Sequence, residues 1–133
     1  MYISSKYDPE RDPFADVAAA VTKAQAENKR ILLIAGGDWC IWCEILATFM
    51  HNTEAVTNLL TKNYIIVKVN VSKENENKKF LTQYPEIPGY PHIFVLDADG
   101  TSLHTQDMLE LEIGKNYDEV KFVEFLEMWR LEE

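Results

Sequence analysis

The run Ile31-Leu32-Leu33-Ile34-Ala35 restricts the fold more than any other stretch of this 133-residue chain. Five apolar residues in succession leave no polar face, so a strand built from them is covered on both sides. Such a strand belongs inside a sheet that carries helices on each face. Gly36-Gly37 ends the run, and Asp38-Trp39-Cys40-Ile41-Trp42-Cys43 follows at once. Ile45, Leu46, Phe49 and Met50 then recur at three-to-four spacing, which predicts a helix. The cysteines therefore sit at a strand-to-helix turn, with Cys40 at the helix start.

The flanking segments extend this alternation. Asp12-Pro13 is a cap followed by proline at the first helical position, and Phe14, Val17, Ala18 and Val21 carry a helix to about Glu27, where Asn28 stops it. A short helix over Glu54 to Thr61, capped by Asn52 or Thr53, leads through a turn at Asn63 into a strand from Tyr64 to Val71. The polar stretch 72–79 precedes a brief helix around Phe80, Leu81 and Tyr84 that ends before Pro85. Ile93 to Leu96 forms a further strand, Asp97-Ala98-Asp99-Gly100 a turn, and the residues from Thr101 return antiparallel. Asp118 caps a last helix with Val120, Val123, Leu126 and Trp129 on one face, widened by Phe122 and Phe125. The predicted order, α-β-α-α-β-α-β-β-α, describes an α/β fold with a mixed central sheet and helices on both faces. It is expected as a single domain over 1–133, with residues 1–11 irregular.

Composition removes several function classes. The net charge is −9 and no basic run exists, so nucleic acid is not an expected partner. The longest apolar runs are strand-sized, far below the roughly 20 residues that span a bilayer, and no membrane span is expected. The first residues lack the pattern of a secretory leader.

Cys40 and Cys43 are the chain's only cysteines. The free N–H groups and positive dipole end of a helix favour a thiolate at its start. Cys43, one turn on and on the same face, reaches the first sulfur to close a small disulfide. Two inertly packed cysteines are the alternative, since free cysteine is often buried. A structural zinc site needs four ligands, but no second C-x-x-C exists and His51, His92 and His104 are single and far apart. Covalent haem attachment fails because Glu44 stands where that motif needs histidine. No metal and no cofactor is expected beyond a redox-active Cys40–Cys43 pair.

Trp39-Cys40-Ile41-Trp42-Cys43 behind an apolar strand, Gly89-Tyr90-Pro91 further along, and strand-turn-strand-helix beyond together resemble the thioredoxin superfamily, from about Phe14 to Leu131. The motif is similar in particular to the thioredoxin-like disulfide reductases and isomerases of bacterial envelopes. The resemblance implies a thioredoxin-like fold and disulfide reduction on protein or peptide substrates, with Cys40 attacking, Cys43 releasing, and a separate electron donor. It implies a periplasmic or envelope setting, with the cytoplasm as alternative. It also implies that Pro91 is a cis-proline facing the cysteines and that Tyr90 offers backbone groups to an extended substrate; a trans proline opening a strand is the alternative. Trp39 and Trp42 are candidates for an apolar substrate-docking rim, or for plain cover at the end of the sheet. His92, beside Pro91, is a candidate to contact substrate or tune the thiolate, or else a solvated strand-start histidine.

Two departures from that family stand out. Many thioredoxins place a buried aspartate six residues before the first cysteine, and here that position is Ile34. Lys68 stands where a strand lysine often pairs with that aspartate; it is a candidate tuning group or, lacking its partner, points to solvent. Glu44 is a candidate substitute, or a first-turn glutamate supporting its own helix. Asp38 and Glu44 place negative charge around the apolar Ile41 and Trp42, which opposes thiolate formation. A weakly stabilised thiolate predicts a reducing protein, nearer about −270 mV than about −120 mV. An isomerase and a non-catalytic binding module are the alternatives. The stretch between Gly100 and Gly114 is longer than in a minimal thioredoxin.

Overall fold

The computed structural model describes residues 1–132. In chain order the elements are β1 (Tyr2–Ser4), α1 (Pro13–Glu27), β2 (Arg30–Gly36), α2 (Ile41–Asn52), α3 (Glu54–Asn63), β3 (Tyr64–Asn70), α4 (Lys78–Leu81), β4 (His92–Leu96) and β5 (Ser102–Gln106). A 3-10 turn (Met108–Leu111), the hairpin β6 (Glu112–Ile113) and β7 (Asn116–Tyr117), and α5 (Glu119–Trp129) follow. Among the described residues the main sheet has the order β1-β3-β2-β4-β5. β1 and β2 run parallel to β3, while β4 runs antiparallel to both β2 and β5.

The central position of β2 follows from its unbroken apolar run. Ile31 and Leu33 pack with Ala20 and Ala24 of α1 and with Phe80 on one face. Leu32 and Ile34 pack on the other face, with residues of α2, α3 and α5. All four are at most 1% exposed, as a strand with no polar face requires. The helix ends obey local chemistry. Asp12 accepts a hydrogen bond from the Phe14 amide, and Asn28 closes α1 in a left-handed conformation, with φ 56°. Asp118 accepts from the Lys121 amide at the start of α5. Among the described residues no helix is long and apolar enough to cross a membrane.

Two expectations need correction. Residues 1–11 are not wholly irregular, because Tyr2–Ser4 forms β1 against β3. The Ser4 hydroxyl donates to the Lys68 carbonyl and accepts from the Lys68 amide, both at 2.9 Å. Three residues carry no readable period, and only the open edge of β3 makes them a strand. Val120 is 66% exposed, and the buried face of α5 is formed by Phe122, Phe125 and Leu126. Val120 and Phe122 lie on opposite sides of a helix, and the larger side chain takes the core. The long stretch after Gly100 also has a structural account: it carries Met108, Leu111 and Tyr117 into the core beside Phe122.

Candidate active site

The turn after β2 delivers Cys40 to the cap position of α2. Its backbone is extended, with φ −97° and ψ 111°, and its sulfur accepts a hydrogen bond from the Cys43 amide at 3.2 Å. The thiol thus occupies the place usually held by a serine or aspartate oxygen, facing amides that have no partner within the helix. The helix dipole adds positive potential at the same point. Both cysteines are free thiols. Cys40 keeps 6% and Cys43 3% of its exposure, and both line a surface cavity of ≈ 260 Å³. The pair is covered but reachable.

The two sulfurs differ in environment. Burial pushes the Cys43 thiol up to about 12, and its hydrogen bond with Cys40 acts in the same direction. The Gly37 amide and the charge on Lys68 pull it back down. Gly36, at the end of β2, is required here by close approach. A Cβ on it would lie 2.5 Å from the Cys43 sulfur and 3.0 Å from the Tyr7 ring and hydroxyl. Gly36→Ala is therefore expected to lower stability by about 1–3 kcal/mol, the usual effect of overpacking. Urea unfolding measures this, and an unchanged midpoint would show that the sulfur and ring move aside freely.

Sheet register brings the second half of the site to the cysteines. β4 pairs His92 with Ala35 near the end of β2, so Pro91 arrives beside Gly36 and the turn that carries Cys40. The Tyr90–Pro91 peptide is cis, and Pro91 is buried. Trp39 is 60% exposed. Its ring meets Tyr90 edge-on at 5.7 Å, and its indole N–H donates to the Val71 carbonyl at 2.6 Å. Trp39 and Tyr90 line a groove of ≈ 1150 Å³ that continues past Val71, Leu81, Tyr84 and Ile87. Ile41, on the first turn of α2, is 72% exposed.

The remaining candidates are distributed unequally. Trp42 does not line that groove; it is half-buried and edge-on to Tyr117 at 5.5 Å, packed against the core. His92 is neither solvated nor a surface group. It is 3% exposed, bonded through Nε2 to the Thr105 hydroxyl at 2.6 Å, and set against Phe94 at 4.8 Å. Burial lowers its pKa, outweighing nearby Asp107. Glu44 is exposed on the first turn of α2 and lines the cavity over the cysteines. Ile34 fills the position of the absent aspartate and packs in the same cluster as both cysteines.

Lys68 does not point to solvent. It pairs with Ile34 in the parallel register, so its side chain leaves the sheet on the face that carries the cysteines. Its ammonium lies 5.1 Å from the Tyr7 ring centroid and 6.0 Å from that of Tyr2. Lys68 and Tyr7 line the cavity with Cys40 and Cys43. Tyr7 and Tyr117 escaped the sequence reading. Tyr7 belongs to a segment with no period, and Tyr117 to a two-residue strand. The Tyr117 hydroxyl is buried without a hydrogen-bond partner among the described residues. Among those residues no three His, Cys, Asp or Glu side chains are grouped to hold a metal ion.

The family model described as thioredoxin-like matches residues 12–98. The chain is 25% identical over 92 residues to the thiol:disulfide interchange protein DsbD of Pseudomonas fluorescens, and 24% identical over 107 residues to that of Klebsiella pneumoniae. These stretches cover 69% and 80% of this chain but only 16% and 17% of the relatives, so the chain spans about a sixth of their length. The disulphide isomerase from Xylella fastidiosa Temecula1 superposes with a TM-score of 0.78 at 26% identity, covering 92% of this chain and 94% of that one. The oxidised C-terminal domain of Neisseria meningitidis DsbD gives 0.67 at 24% identity, covering 95% and 100%, a likeness of fold. The matched span exceeds half of the sequence and contains Cys40, Cys43 and Pro91, and the chain belongs to the thioredoxin-like family.

Proposed function

We propose that this chain is a thiol–disulfide oxidoreductase that reduces disulfides in extended protein or peptide segments. The observation that carries this is the Cys40 sulfur at the amino-terminal cap of α2, hydrogen-bonded by the Cys43 amide and reached by a surface cavity. The Cys40 thiolate attacks one sulfur of a substrate disulfide, and the other substrate sulfur leaves with the electron pair and takes a proton from solvent. The mixed disulfide is resolved when the Cys43 thiolate attacks the Cys40 sulfur. The second substrate sulfur leaves, and the Cys40–Cys43 disulfide remains. The substrate gains two electrons and the protein loses two. A separate protein dithiol must restore them.

Substrate contact is assigned to the exposed Trp39 and Ile41 and to the backbone beside Tyr90 and Pro91. The groove running from Trp39 and Tyr90 supports this, because it offers apolar area without a uniform charge and begins at Trp39, the residue before Cys40. Trp42 is given a supporting place on the core-facing side of α2, against Tyr117. A periplasmic or other envelope setting suits the chemistry, since disulfides form there and wrong ones need reduction. The names of the DsbD relatives, thiol:disulfide interchange proteins, support exchange with protein thiols.

Turnover of insulin with dithiothreitol tests the activity, with precipitation expected well above the uncatalysed rate. No turnover above background would leave a non-catalytic binding module. Equilibration with glutathione tests the direction. A potential near about −270 mV is expected, and one above roughly −150 mV overturns the reductase direction. An isomerase reading rests on one observation, the similarity to a protein described as a disulphide isomerase. Reactivation of scrambled ribonuclease without net reduction would favour it.

A further inference from the structure

The release step needs Cys43 as a thiolate, yet this sulfur is the more buried of the two, 3% against 6%, and burial opposes its ionisation. The acid that many thioredoxins place beneath it is replaced by Ile34, which offers no proton acceptor and no charge. Something else must offset the negative sulfur. The groups that face the cavity around Cys43 are few. Lys68 comes from β3, Asp38 from the turn after β2, Cys40 from the cap of α2, Glu44 from its first turn, and Lys6 and Tyr7 from the amino-terminal arm. Tyr117 of β7 approaches from the core side. Of these, only Lys68 and Lys6 are cationic, and Lys6 is exposed.

Lys68 is held in place by two features that the arm supplies. Ser4 grips its backbone through paired 2.9 Å hydrogen bonds. The Tyr7 ring lies 5.1 Å from its ammonium, within the range in which an aromatic face attracts a cation. The Tyr7 hydroxyl and the Cys43 sulfur converge on the same space above Gly36, and a cation seated on that ring shares one cavity with the sulfur.

We propose that the Lys68 ammonium, seated on Tyr7 by the amino-terminal arm, is the cation that stabilises the Cys43 thiolate in the release step. Lys68 keeps its proton throughout. The Cys43 proton leaves to solvent, the thiolate attacks Cys40, and the substrate sulfur departs with the electron pair. Tyr7 is a positioning residue that acts through Lys68. Burial lowers the Lys68 pKa, while Cys43 and Asp38 raise it, so the cation is poised next to the charge it answers.

This extends the disulfide-exchange reading, but its test needs neither substrate nor turnover, so the two can fail separately. In a Cys40→Ala background Cys43 is the sole cysteine, and its alkylation by neutral iodoacetamide between pH 7 and 8 reports its thiolate fraction. Lys68→Gln, which keeps a polar group and drops the charge, is expected to slow alkylation about tenfold, one unit of apparent pKa. Lys68→Arg should restore most of the rate. Tyr7→Phe, which keeps the ring, should leave it near the parent value. Urea-unfolded forms of all variants should react alike, and thermal melting reports whether each one folds. Equal rates for the parent and a folded Lys68→Gln overturn the proposal. So does a tenfold loss in Tyr7→Phe, which would move the role to the phenol hydroxyl. If Lys68→Gln does not fold, slow alkylation in a folded Lys68→Arg, which retains the charge, overturns it equally.

Discussion

Cys43→Ser is expected to lock the protein onto its substrates as a covalent adduct. With Cys40 intact the first exchange proceeds, but no internal sulfur remains to displace the substrate. Insulin turnover should fall about a thousandfold or more, as when any essential nucleophile is removed. The adduct should appear as a heavier species on non-reducing gels and vanish with dithiothreitol. The assignment of roles rests on the environments of the two sulfurs. Cys40 caps α2 and accepts the Cys43 amide at 3.2 Å, where an anion is favoured. Cys43 is pushed up to about 12 by burial and its contact with Cys40, so in the resting dithiol it is protonated at neutral pH. If Cys40→Ser formed the adduct and Cys43→Ser did not, the two sulfurs would have exchanged roles.

Phe122→Ala is expected to destabilise the protein by about 3–5 kcal/mol, the range for removing a buried phenylalanine. Such a loss is a large part of the roughly 5–15 kcal/mol that holds a domain together. Phe122 is fully buried and packs against three rings, with centroids at 5.3 Å from Phe49, 5.9 Å from Phe125 and 6.0 Å from Tyr117. Tyr117 in turn supports Trp42 at 5.5 Å, so the ring cluster underlies the helix that carries both cysteines. Urea or thermal unfolding measures the loss. Val120→Ala on the same helix is the comparison, and at 66% exposure it should change stability by no more than about 0.5 kcal/mol. Similar effects from the two would mean that the α5 face is set wrongly.

Much of this arrangement was legible in the amino-acid order. The apolar run at 31–35 could only be a covered strand, because solvating either face would expose two large side chains, Ile31 and Leu33 or Leu32 and Ile34. Asp12-Pro13, Asn28 and Asp118 mark helix ends through backbone chemistry that acts within a few residues, and each appears where that chemistry puts it. Cys40 and Cys43 are read from spacing on one helix turn. Signals of this kind are local, so the chain shows them without a fold.

What stayed hidden depends on residues distant in sequence. His92 looked like a solvated strand-start histidine until β5 brought Thr105 to its ring. The amino-acid order favours docking for Trp39 and leaves Trp42 open between docking and cover. The turn leaves the first beside Tyr90, and the helix turns the second onto Tyr117. The amino-acid sequence by itself determined the layered α/β frame and the dithiol at its strand-to-helix turn, because both follow from short-range periodicity and capping. Only the tertiary structure decided what surrounds the sulfurs. The parallel register of Ile34 with Lys68, and an amino-terminal arm that pairs at the sheet edge and sets Tyr7 over Gly36, join positions whose electrostatic coupling exists only once the strands lie side by side.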